Sequence, residues 1–278
     1  MEQPIVTLLL VAATVFISYK GFKDQRLLER YCFDVDKVLI RKEYVRIISS
    51  GFLHNGWLHL VFNMIVLLGF GTMLEPMIGG IKVLLIYFLS MIGSELLALL
   101  VHKSHSDYTS VGASGAVNGI VYATIALFPN MPFGFLFLPL SLPAWVFGLG
   151  YILFTIYGIK ARWGNAAHTS HLGGAIVGLL TAVALYPQTA ASNYLPVLLI
   201  ALPTIAFIVF VLYKPESLLI NSFSKKQRHY SIDQEYNYRK AQERADIDSI
   251  LEKIHRKGLK SLTEREKEAL EEYSKANK

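Results

Sequence analysis

"YTSVGASGAVNGIVYATIALFPNMPFGFLFLPLSLPAWVFGLGYILFTIYGI", Tyr108 to Ile159, contains no charged side chain along its whole length. Trp163 to Tyr213 is a second stretch of the same kind. A helix crossing the hydrocarbon core of a bilayer needs about 20 predominantly apolar residues, so each stretch has room for two spans. Across the 278 residues, 53% are hydrophobic and only 17% charged, and the charges lie outside these runs. The pattern defines an all-α, multispan membrane protein.

Working outward from those stretches gives seven expected spans: Pro4 to Tyr19, Trp57 to Leu74, Val83 to Val101, Ala113 to Phe128, one within Phe133 to Tyr157, Ala166 to Tyr186, and Leu195 to Tyr213. Pro139 and Pro143 disfavour continuous helix, so the fifth span proper is expected to begin after them. "MEQP" lacks a basic leading region and no small-residue cleavage site follows "FISYK", which reads as a retained span and not a signal peptide.

Two regions are polar. Lys20 to Ser50 is a long first loop of mixed charge, and Lys214 to Lys278 is a soluble tail with 15 Lys/Arg against 12 Asp/Glu. In the tail, Ile247, Ile250, Leu251 and Ile254 follow the helical period. Gly258 would stop that helix, and Thr263 with Glu266 forms a capping box for a second one. Cys32 is the only cysteine, which excludes an intramolecular disulfide. Internal repeats, zinc-ligand spacings and phosphate loops are all missing from the sequence.

Burying an unpartnered polar group costs several kcal/mol, so polar residues inside spans are informative. They cluster. "HNGWLHLVFN" opens the second span with His54, His59 and Asn63; Ser114 and Asn118 lie at the start of the fourth; "HTSHLGG" opens the sixth with His168 and His171. Consecutive spans alternate in direction, so the second, fourth and sixth begin on one membrane face. His59 and Asn63, spaced i, i+4, share a helix face. His54, about 140° round from His59, is placed in the loop leading into the span or in structural packing.

Gly115 and Gly119 follow Ser114, and Gly174 and Gly178 follow His171; both pairs are GxxxG patterns that let helix backbones approach closely in lipid. If those faces meet, Ser114 meets His171. A serine beside a histidine suffices for nucleophilic attack on a carbonyl. The third member of a triad is an acid, and the fourth and sixth spans contain none, so a dyad is what remains. His59, Asn63 and the Ser114 backbone N–H are candidate oxyanion donors. Gly112 is expected to permit tight backbone approach just before the helix. Glu95, the one carboxylate deep in a span, reads as a structural hydrogen-bonding group.

"HNGWLHLVFN", "GASG" (Gly112 to Gly115) and "SHLGGAIVG" (Ser170 to Gly178), in this order on alternate spans, resemble the rhomboid family of intramembrane serine proteases. "YVR" (Tyr44 to Arg46) and "GTMLE" (Gly71 to Glu75) are similar too, and the resemblance covers roughly Lys37 to Tyr186. It implies a rhomboid-like six-helix transmembrane core, with a seventh C-terminal span and a small soluble helical tail added here. The division is 1–36 for the first span and start of the first loop, 37–190 for the protease core that the first span completes, 195–213 for the extra helix and 214–278 for the tail. Ser114 is implied as nucleophile, His171 as general base, and His59 and Asn63 as oxyanion donors, with no cofactor and no metal. Implied partners are transmembrane protein substrates and the lipid bilayer, without nucleic acid; the partner of the tail is unidentified. The setting is that of an integral multi-pass membrane protein, which for a bacterial chain means the plasma (inner) membrane. The rival reading is a catalytically silent relative that binds transmembrane clients without cutting them.

The sequence departs from the family pattern at two places. An aromatic residue often stands four after the nucleophile and packs on the catalytic imidazole; here that position is Asn118, whose carboxamide is expected to hydrogen-bond His171 instead. Val45 stands where an aromatic precedes the loop arginine. His168, one turn nearer the surface than His171, is expected to be an interfacial polar residue. With seven spans, all Lys/Arg except Lys82 lie on or bordering the active-site face, which the positive-inside rule makes cytoplasmic. Family resemblance points to a site opening outward.

Overall fold

The computed structural model describes residues 3–103, 108–135, 138–160 and 165–213, with nine further positions between 247 and 273. The chain divides into two units, residues 1–224 and 225–278. The first unit opens with α1 (Ile5–Lys23), α2 (Gln25–Tyr31), β1 (Phe33–Asp34), α3 (Val35–Leu39), α4 (Arg46–Ser49), a 3-10 turn (Ser50–Phe52), α5 (Trp57–Ile78) and α6 (Gly80–His102). It continues with β2 (Thr109–Ser110), α7 (Ser114–Leu127), β3 (Pro132–Phe135), β4 (Leu138–Pro143), α8 (Ala144–Lys160), α9 (Asn165–Leu185), α10 (Pro187–Ser192) and α11 (Tyr194–Tyr213).

Each of the seven apolar runs is helical, but they are not equal. α1, α5, α6, α9 and α11 are long and apolar enough to cross a membrane, whereas α7, with 14 residues, and α8, with 17, are shorter. At 1.5 Å per residue α7 is about 21 Å long, less than the roughly 30 Å hydrocarbon core. It is enclosed by α5, α6 and α9, and every residue after Ser114 is buried. A helix walled in by protein needs neither the length nor the lipid-facing surface of a free span.

Glycine makes that enclosure possible. A Cβ on Gly174 would meet the Gly115 carbonyl, one on Gly178 the Gly119 backbone, and on the other side Gly115 and Gly119 face Ser94 and Ser90 of α6. α7 and α9 therefore pack backbone to backbone, the arrangement that two GxxxG faces permit, and α6 lays the small side chains of Ser90 and Ser94 against the same glycines. At the opposite end of α5, Gly71 leaves room for Thr7 of α1. Four residues on, the buried Glu75 carboxylate accepts from Val6 N (2.8 Å), Thr7 N (2.7 Å) and Thr7 Oγ1 (2.7 Å). Amides at a helix start have no intrahelical acceptor, and a carboxylate there also suits the helix dipole, so "GTMLE" joins α1 to α5.

An all-helical reading of the chain omits two short antiparallel strand pairs. β1 pairs with β2, Phe33 opposite Ser110 and Asp34 opposite Thr109, tying the first loop to the segment ahead of α7. β3 and β4 form a hairpin with Pro132 opposite Pro143. Pro132, Pro139 and Pro143 lie in this hairpin, where they interrupt no helix, and α8 begins directly after Pro143. In the first loop Arg46 is buried and donates to Glu43 (2.6 Å) and to the carbonyls of Glu29 (3.1 Å) and Cys32 (2.8 Å). Val45 beside it is exposed, and Ser49 Oγ adds a bond to the Tyr31 carbonyl (2.8 Å) in the same loop.

In the second unit Ile247, Ile250 and Leu262 are buried together, with Ile254 and Leu270 packed against them. The Lys267 amide donates to the Thr263 carbonyl (3.1 Å), the first helical bond after that cap position. Leu251, Gly258 and Glu266 lie outside the described residues.

Candidate active site

Ser114 is the first residue of α7, where its amide has no partner within the helix. The backbone reaches it through Gly112, whose φ of +139° lies in the range that favours glycine. A side chain there would also strike the His59 ring, with Cε1 2.8 Å and Nε2 3.0 Å from the added carbon, and would lie 3.7 Å from Ser114 Oγ. Gly112 thus sits between His59 and Ser114 and lets both point into the same space.

His54 fixes the loop that delivers them. Its Nε2 accepts from the Ala113 amide (3.4 Å), and its Nδ1 lies 2.9 Å from Ser18 Oγ, which in turn donates to the Phe52 carbonyl (2.8 Å). An accepting Nε2 requires the proton on Nδ1, so the chain of bonds runs one way from Ala113 to Phe52. His54 is therefore a structural member of the loop leading into α5. Its ring meets that of His59 edge-on at 4.8 Å.

Burial, with His59 adding to it, brings the His54 imidazole from its ordinary 6.5 down to about 3. Between those values the unfolded chain binds a proton that the folded chain refuses, so stability rises with pH in that window and is lost as pH falls through it. The thermal midpoint is expected to drop as pH is lowered from about 7 to about 4. His54→Asn is expected to be less stable at neutral pH but to show a shallower slope over the same interval, measured by thermal unfolding in detergent. An unchanged slope contradicts the assignment.

Ser114, His171, His59 and Asn63 line one cavity of about 250 Å³ together with Asn118 and Tyr151. Phe62 and Val66 from α5, Val117 and Val121 from α7, and Phe147 from α8 make the rest of its wall apolar. Four helices contribute, and His171 lies six residues into α9, about 9 Å along its axis. Asn63 uses one amide hydrogen on the His59 carbonyl (3.0 Å) and retains a second. His168 is not part of the lining: its ring packs on Gly158 of α8 and lies edge-on to His171 at 6.2 Å. Glu95 is buried with Ser110 Oγ 3.4 Å from its carboxylate, away from the cavity.

The expectation for Asn118 is corrected. Its Nδ2 donates to the Ser114 carbonyl (2.8 Å), and the partner of the His171 ring is Tyr151, whose hydroxyl lies 3.0 Å from Nδ1. Tyr151 was not singled out from the sequence. The available signal was a tyrosine within an apolar span instead of at its ends, where a hydroxyl must find a partner.

A family model described as "Rhomboid domain" matches residues 41–188, and the chain belongs to the rhomboid family. Residues 230–276 match a second model, a family of unknown function (DUF6576). The mitochondrial rhomboid protein 1 of Saccharomyces cerevisiae is 32% identical over 183 residues, covering 63% of this chain and 51% of the relative. The rhomboid protease GluP of Bacillus subtilis is 29% identical over 237 residues, covering 80% of this chain and 44% of the relative. RHOMBOID-like protein 4 of Arabidopsis thaliana is 41% identical over 88 residues, covering 32% of this chain and 22% of the relative. The chain spans about half or less of the length of these relatives. The family contains proteases, GluP being one by its name, as well as inactive members. With its apolar helices, membership makes this an integral multi-pass membrane protein.

Proposed function

We propose that the protein is an intramembrane serine endopeptidase that cuts single-span membrane proteins near the end of their transmembrane helix. The observation that carries this reading is the cavity shared by Ser114, His171, His59 and Asn63. Ser114 Oγ gives its proton to His171 Nε2 and attacks the scissile carbonyl carbon. The resulting oxyanion is met by the His59 and Asn63 side chains and by the Ser114 N–H, which the helix start leaves without an acceptor. The imidazolium then protonates the leaving amine, and water releases the acyl group by the same steps in reverse roles. Water and an unwound substrate backbone are most available near the membrane surface, which suits a nucleophile at a helix start.

A silent client-binding role draws its support from Asn118, one of the two departures from the family pattern that the resemblance implies. The test is to reconstitute the full chain in vesicles with several single-span proteins and map any cut. Cleavage near the end of the substrate helix is expected. Intact substrates that co-purify with the protein would replace the protease reading with the binding one.

A further inference from the structure

We propose that Tyr151, on α8, is the positioning residue for His171, accepting the Nδ1 proton and thereby keeping Nε2 bare for Ser114. The inference rests on the dyad reading above. A neutral imidazole carries one proton, and a base at Nε2 must carry it on Nδ1, where it needs an acceptor. A carboxylate fills that role in a triad, but neither α7 nor α9 contains one. The Tyr151 oxygen, 3.0 Å from Nδ1, is in its place.

A hydroxyl that accepts must send its own proton elsewhere. The side chains of Asn118 and Thr155 lie next to the Tyr151 hydroxyl. Asn118 turns its nitrogen to the Ser114 carbonyl, which leaves its oxygen as an acceptor, and Thr155 Oγ1 is buried with no hydrogen-bond partner of its own. The opposite polarity, Tyr151 donating to Nδ1, would put the imidazole proton on Nε2 and disable the base. The phenol itself is held: its ring stacks on Phe147 at 6.3 Å and 20°, and lies 6.4 Å from the His171 ring at a 30° tilt. His59 of α5 and His168 of α9 are the other titratable groups near the ring. The aromatic partner of the imidazole thus comes from α8, and Asn118 of α7 lines the same cavity.

Tyr151→Phe removes one oxygen and keeps the ring. In the full chain reconstituted with a cleavable single-span substrate, kcat is expected to fall about 10- to 100-fold with KM within about twofold, because base catalysis is weakened while the cavity persists. The melting temperature is expected to stay near that of wild type. In 15N-histidine-labelled protein, the ring signals that disappear in His171→Ala are expected to show the Nδ1–H tautomer in wild type and to lose it in Tyr151→Phe. Wild-type kcat in Tyr151→Phe with Ser114→Ala inactive overturns the positioning role alone. Ser114→Ala as active as wild type overturns the dyad and this inference together. An Nε2–H tautomer in the resting wild type overturns the inference whatever the variants do.

Discussion

Ser114→Ala is expected to bring turnover of a single-span substrate down by about 10⁴-fold or more, and adding His171→Ala to it is expected to lower the rate no further. The two side chains act as one unit: without the hydroxyl there is no proton for the imidazole to take, and without the imidazole the hydroxyl is a weak nucleophile. Residues joined in one step are strongly non-additive, unlike two residues that each contribute to binding. Substrate affinity is expected to hold in Ser114→Ala, because the apolar wall from Phe62 to Phe147 is untouched. Single-turnover rates in vesicles, with binding measured separately, check both parts. Additive losses would mean that serine and histidine do not share a step.

Gly174→Val is expected to prevent assembly of the core, with loss of both thermal stability and cleavage. The added carbon would enter the Gly115 carbonyl, which is backbone and cannot rotate aside. Overpacking a core with one or two methyl groups costs about 1–3 kcal/mol when side chains can shift. Here the obstacle is the chain carrying Ser114, so either α9 moves outward or α7 loses its seat. Gly174→Ala already places that carbon on the Gly115 backbone, so it too is expected to lose stability and cleavage, though less completely than Gly174→Val, which adds two further methyl groups. Gly69, whose added Cβ would meet nothing within 4 Å, is the control position, and Gly69→Ala is expected to match wild type. Thermal unfolding and cleavage of the three variants, side by side, provide the check.

The sequence made the helices and the cluster around Ser114 legible for different reasons. Runs without charge mark helices because lipid leaves the backbone few other options, and this holds even for α7, which is too short to span alone. His59, Ser114 and His171 could be placed together because helix direction alternates and glycine pairs announce close approach. Pairings between side chains on separate helices could not be read this way. Nothing in "WVFGLGYILF" says that Tyr151 turns toward His171, nor in "FISYK" that Ser18 turns toward His54; both follow from packing. Asn118 shows the limit most clearly. Its polarity suggested a partner on the imidazole, while its own helix supplies a carbonyl four residues back. The strand pairs were hidden because each is only a few residues long and one joins segments far apart in the chain.

The most direct measurement is covalent capture of the nucleophile by a fluorophosphonate, followed by peptide mapping of the adduct in wild type and in His171→Ala. A dyad predicts a single adduct on Ser114 in wild type and a rate of capture reduced to background in His171→Ala. Equal capture in the two proteins, or an adduct on another serine, would contradict it.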